Sequence, residues 1–270
     1  MLFGGFPVRD LIRRIGTLLA SRERTSGEPH SPNGASSFHL VWTVPQAPLK
    51  SVAATLEVLE PPANKRLYFW ALQVSFAEER RLHGAGHIGL QWNRRHPGST
   101  AVNWGGYGPS SARRSLLSGS ESALPSVRND PNTRDYAWKP GHRYRLAIME
   151  GDRAPDGLIA WRGTLTDLES GTEIVVRDLY SPGRHLTAPV VWSEVFARCE
   201  QPTVTVRWSD LTAVTATGEE IRPRSVRVNY QSRADGGCDN TSVALDELGI
   251  LQTTCTRRQV PQGATLPVPG

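Results

Sequence analysis

From Phe38 onward, apolar and polar positions alternate in short runs, and Gly, Pro, Asn and Asp break the runs at intervals. A period of two marks pleated strands, so the succession predicts an all-β domain, a sandwich or a barrel. Strands are predicted at residues 38–44, 52–59, 67–76, 87–92, 100–104, 143–149, 158–165, 173–179, 190–198, 203–211 and 225–231. A last hairpin is predicted within 236–254, bending near Leu248-Gly249. Pro45 and Pro48 close the first strand and Pro61-Pro62 the second, because proline cannot donate to the ladder. In the third, Tyr68, Trp70, Leu72, Val74 and Phe76 alternate with Phe69, Ala71, Gln73 and Ser75, which implies cover on both faces.

Before the strands, Val8, Leu11, Ile12, Ile15, Leu18 and Leu19 follow helical spacing, with Arg9, Asp10, Arg13 and Arg14 among them. Residues 1–37 therefore read as a short basic amphipathic helix and a flexible linker, 38–258 as the β domain, and 259–270 as a loose tail. The charges interrupt any secretory h-region, which points to a cytoplasmic chain unless the start codon is misassigned. No run approaches the roughly 20 apolar residues of a membrane span. Residues 105–139 form a long stretch rich in Gly and Ser and containing Arg113-Arg114, and it is the first place to seek a binding edge.

Charge changes this picture little. The net charge is +5, but only Lys50, Lys65 and Lys139 of the 31 basic residues are lysines, and the arginines run along the whole chain. Nucleic-acid binding calls for cations gathered on one face, so no nucleic-acid partner is expected. Of three cysteines, Cys238 and Cys255 flank a short segment that an oxidising compartment would let them close; buried or unpaired thiols are the simpler expectation. No zinc spacing, phosphate loop or nucleophile elbow occurs, and no metal or cofactor is expected.

Asn103-Trp104-Gly105-Gly106-Tyr107-Gly108 is followed by Trp138-Lys139-Pro140-Gly141-His142-Arg143-Tyr144, then by Trp192-Ser193-Glu194-Val195-Phe196 and Arg207-Trp208. In this order the segments, over residues 67–231, resemble the bacterial β-sandwich family known as domain of unknown function 3472. The likeness departs at Tyr107, where that family tends to carry an acidic residue, and around Arg113-Arg114, which looks longer here. It implies a jelly-roll-like, concanavalin- or lectin-like antiparallel β-sandwich, and it brings no established activity.

Three functional classes follow. The first is non-catalytic binding of a carbohydrate or similar polar ligand, with Trp104, Tyr107 or Trp138 as a flat platform and Gln91, Asn93 and Arg94 as hydrogen-bonding neighbours. On this reading the protein is not an enzyme. The second is a polysaccharide lyase or glycoside hydrolase using Glu194 or His96. Glu194 shares strand parity with Trp192 and Phe196, and a carboxyl in apolar company has a raised pKa. A glycosidase needs a second carboxylate about 5–9.5 Å away, and the spacing of Asp178 and Asp210 selects neither. His87, His96, His142 and His185 stand singly. The third class is a structural or partner-binding module built on the N-terminal helix.

Overall fold

The computed structural model describes residues 23–109 and 115–269. The expected N-terminal helix and Arg113-Arg114 lie outside the described residues. In chain order the strands are β1 (Ser36–Trp42), β2 (Leu49–Glu60), β3 (Tyr68–Glu78), β4 (Arg81–Trp92), β5 (Thr100–Tyr107), β6 (Thr133–Asp135), β7 (Arg143–Arg153) and β8 (Ile159–Asp167). They continue with β9 (Thr172–Ser181), β10 (His185–Val195), β11 (Thr205–Thr215), β12 (Glu220–Ile221), β13 (Ser225–Tyr230), β14 (Ser242–Leu245), β15 (Ile250–Thr253) and β16 (Thr265–Pro267). The protein is all-β: among the described residues these sixteen strands pair antiparallel throughout, and helix is confined to two 3-10 turns.

The pairing divides into two halves. One runs β16-β13-β1-β10-β3-β4-β5-β6, the other β14-β15-β11-β2-β7-β8-β9 with short β12 also paired to β11, and the link between β10 and β2 is the single pair Leu186–Leu49. The halves pack against each other through large rings. Trp104 on β5 donates from Nε1 to the Trp161 carbonyl on β8 at 3.1 Å, and Phe76 on β3 stacks on Trp161 with centroids 5.8 Å apart. Gly163 makes room for the Trp104 indole, since a Cβ there would lie 2.6 Å from its ring.

A polar hub joins the halves elsewhere. Buried Gln252 on β15 accepts from Ser193 Oγ (2.7 Å) and Trp208 Nε1 (2.9 Å), and its Nε2 donates to the Phe38 carbonyl (3.0 Å). Satisfying every polar atom makes such a buried group tolerable.

Several predicted boundaries move. The β3–β4 hairpin extends to the pair Glu78–Arg81, six residues before the predicted start at 87. Its turn places Glu79 at φ 51°, a left-handed conformation that no Gly or Asn announces. The presumed linker is pinned to the domain: Gly27 N donates to Glu200 Oε2 and Cys199 N to the Gly27 carbonyl, while His30 N reaches the Gly236 carbonyl. The tail likewise carries β16, which pairs with β13. In Trp138–Tyr144 the expected glycine turn is present, with Gly141 at φ 75° and Tyr144 Oη accepting from Lys139 N at 2.8 Å. The cysteines pair as Cys199–Cys238, leaving Cys255 free; the Cys238–Cys255 closure is corrected.

Candidate functional site

Residues directly opposite in an antiparallel ladder point to the same face. On the β10-bearing half, Phe38, Leu40, Trp70, Leu72, Ile88, Trp104 and Val191 face the core. The opposite parity therefore forms the outer face, and the register sets out its rows. Ser37, Glu194, Phe69 and Gln91 lie in one row, His39, Trp192, Ala71 and Gly89 in the next, and Val41, Val190, Gln73 and His87 in a third. Part of this face is apolar: Phe69, Ala71, Val190 and Trp192 form a second buried cluster with Val41 against it.

Over that floor opens a cleft of about 340 Å³, lined by Asn33, Ser37, His39, Gln73, His87, Tyr107 and Glu194 with the Phe69 and Trp192 rings. Phe69 and Trp192 meet edge to face at 4.9 Å, and His87 packs against both at 5.5 and 5.7 Å. Glu194 is the single carboxylate of the lining among the described residues. Its Oε1 accepts from Asn33 Nδ2 at 2.8 Å and from Ser37 Oγ at 3.4 Å. Burial raises the Glu194 pKa, and the two hydrogen bonds only partly oppose it.

The imidazoles behave in the opposite sense. Burial pushes His87 down to about 4 and lowers His39 as well, so both rings are neutral near pH 7. Three buried polar atoms of residues that line the cleft, His39 Nδ1, His87 Nδ1 and Trp192 Nε1, have no hydrogen-bond partner among the described residues. Most buried polar atoms in folded proteins are hydrogen-bonded, and each exception asks for a physical reason. These three belong to residues that share one cleft with Glu194, whereas the other eight such atoms lie elsewhere among the described residues.

Glu194 shares the outer face with Trp192, and among the described residues no arginine forms an ion pair with it. The other candidates separate. Trp104 is fully buried and Trp138 is 3% exposed, its Nε1 donating to the Gln91 carbonyl at 3.0 Å. Neither presents a face to a ligand, because both indoles fill the space between the packed halves. Tyr107 does line the cleft. Gln91 is buried, receiving Asn93 Nδ2 at 2.9 Å, and Asn93 and Arg94 line a different cavity. His96 is buried against Asp135 at 2.6 Å and is not among the residues that line the Glu194 cleft. Asp178 and Asp210 belong to the other half, held by Arg162 and by Arg145 and Arg222.

Sequence reading missed Gln73, His39, Ser37 and Asn33 and left His87 unplaced. One signal was present: Gln73 is a lone amide in an apolar strand, at the parity of Phe69. Among the described residues no group of three or more His, Cys, Asp or Glu is placed to hold a metal, and no helix is long and apolar enough to cross a membrane.

No protein-family model and no curated protein matches the chain. Solved structures do. It is similar to scytalido-glutamic peptidase with a peptide-based transition-state analogue, at 10% identity and TM-score 0.41, over 85% of this chain and 98% of that one. It is similar, with the same figures, to SCP-B, a member of the eqolisin family of peptidases, in complex with the tripeptide Ala-Ile-His. A likeness of this size does not by itself assign chemistry.

Two expectations are corrected at this point. A non-catalytic glycan platform is not what the chain presents, since the two indoles that would form it are sealed in the core. The expectation that it is not an enzyme gives way with it, because the outer cleft gathers a carboxyl of raised pKa, neutral imidazoles and unsatisfied polar atoms. A glycosidase needs a second carboxylate, and among the described lining residues Glu194 has none beside it.

Proposed function

We propose that the cleft is a hydrolytic centre for an amide bond in an extended chain, with Glu194 as its acid–base group. The observation that carries this reading is the single carboxyl, Glu194, set on an apolar floor beside three unsatisfied buried polar atoms. Ionised Glu194 takes a proton from a water molecule as that water adds to the amide carbonyl. The protonated carboxyl then returns the proton to the departing nitrogen, and the C–N bond breaks. One group serves both steps, which suits a carboxyl whose pKa is moved toward the working pH.

The partners around Glu194 are neutral. Gln73, Trp192 and the two imidazoles supply hydrogen-bond donors and acceptors without charge, and neutral partners fit a peptide backbone. The apolar floor of Phe69, Val190 and Trp192 accepts an aliphatic or aromatic side chain. The fold that carries the cleft is proposed to be a jelly-roll-like sandwich, supported by the two face-packed antiparallel halves. The Cys199–Cys238 disulfide favours an oxidising compartment over the cytoplasmic location expected above.

The test is incubation of an acid-unfolded protein substrate with the full chain between pH 3 and 7, scoring new amino termini by mass spectrometry. Internal cleavage is expected, favouring apolar residues beside the cut. No cleavage at any pH contradicts the reading.

A further inference from the structure

The outer face does not stop at Glu194. Phe196 and Leu67 continue its parity past Glu194 and Phe69, still paired through Phe196 N to the Leu67 carbonyl at 3.0 Å. There the face opens into a cavity of about 600 Å³. Its lining includes Lys65, Arg66, Arg94 and Arg95 and, among the described residues, no carboxylate. Arg66 is ion-paired with Glu28. Lys65, Arg94 and Arg95 have no ion pair among the described residues, although the chain as a whole pairs many arginines with neighbouring acids.

These cations sit on tied loops. Asn64 Oδ1 accepts from Arg66 N at 2.8 Å, and Asn93 Oδ1 from Arg95 N at 3.2 Å, each fixing a short turn. Trp92 Nε1 donates to the Asn64 carbonyl at 2.7 Å and joins the two turns. Asn64 Nδ2 further bonds Tyr68 Oη at 2.9 Å. A positively charged hollow with an apolar floor is thus held in place at the end of the cleft.

We propose that this cavity is an anion subsite, taking a carboxylate of a chain bound across Glu194. Phe196 lies two residues beyond Glu194, about 7 Å at strand rise, so the subsite reads a carboxylate roughly two residues from the reacting bond. That carboxylate is an acidic side chain or a free C-terminus. Three cations with no carboxylate of their own select negative charge in a concavity. The inference rests on the hydrolytic reading for its register but not for its chemistry.

Its test uses blocked octapeptides of alanine and leucine in three forms: one internal glutamate with an amidated end, glutamine with an amidated end, and glutamine with a free end. Binding by calorimetry and kcat/KM are measured at pH 5.5 in low salt, for the wild-type chain and for Lys65→Gln/Arg94→Gln/Arg95→Gln. All three substituted positions are exposed. One charged peptide is expected to bind about tenfold more tightly than the neutral one, and the variant to reduce this ratio to near one. Preference for the glutamate form assigns a side chain, and preference for the free end a terminus. Equal binding of all three, or an unchanged preference in the variant, overturns the subsite. Preferential binding without cleavage leaves the subsite standing and removes the hydrolytic reading. Cleavage without charge preference does the reverse.

Discussion

Asn33 Nδ2 donates to Glu194 Oε1 at 2.8 Å, joining residues 161 positions apart. The bond comes from the segment before β1, so that segment is part of the site. Because it stabilises the carboxylate, its removal raises the Glu194 pKa further. Asn33→Ala is expected to move the low-pH limb of kcat/KM upward, with some loss of stability as well, because Asn33 Oδ1 also accepts from Ser31 Oγ and Ala35 N. An unmoved limb means that the bond does not act on the reacting group.

His87 gives a pH dependence of stability. Its folded pKa, about 4, lies below its ordinary 6.5, so between these values the unfolded chain binds the proton more readily. The contribution of the neutral ring is intact above pH 6.5 and is lost as pH falls through 4, a change of about 3 kcal/mol. Glu194, with a raised pKa, works in the other sense and disfavours the fold as pH rises past its ordinary value. Urea midpoints at pH 4 and 7 report the sum. His87→Phe is expected to flatten the acid loss, and an equal loss in that variant would place the effect elsewhere.

The disulfide Cys199–Cys238 closes a separation of 39 residues and ties the end of β10 to the segment before β14. Cross-linking a loop of that length contributes about 4 kcal/mol in the chain-entropy view. Cys238→Ser is expected to lower the unfolding midpoint substantially, and dithiothreitol to do the same to the wild type. Cys255→Ser is expected to change little.

Gln252 tests the join between the halves. Gln252→Leu leaves Ser193 Oγ, Trp208 Nε1 and the Phe38 carbonyl without their partner in a buried place. About 2–4 kcal/mol of destabilisation is expected from chemical denaturation. A loss below 1 kcal/mol would mean that water replaces the amide.

The strands were legible because one alternating face of each is buried. Which face that would be was less so. In β3 both parities carry aromatic rings, Tyr68 and Trp70 on one side and Phe69 on the other, so alternation alone did not separate core from cleft floor. Trp104 and Trp138 looked like platform residues for the same reason: sequence shows that a ring is large, and only pairing shows what covers it. Glu194 was readable because Trp192 and Phe196 flank it at one parity on one strand. Gln73, His87 and His39 come from three other strands, and their meeting depends on the register of β1, β10, β3 and β4. Asn33 was hidden in a stretch whose Pro and Gly content suggested only a linker.

Glu194→Gln removes the titrating proton while keeping shape and the Asn33 and Ser37 contacts within reach. The decisive measurement is kcat/KM for a capped apolar peptide from pH 3 to 7, in the wild type and in Glu194→Gln side by side. The account predicts a wild-type profile that rises through a pKa above the ordinary glutamate value, and a variant slower by at least about a hundredfold at every pH. A variant that cleaves with the wild-type profile would show that Glu194 is not the acid–base group.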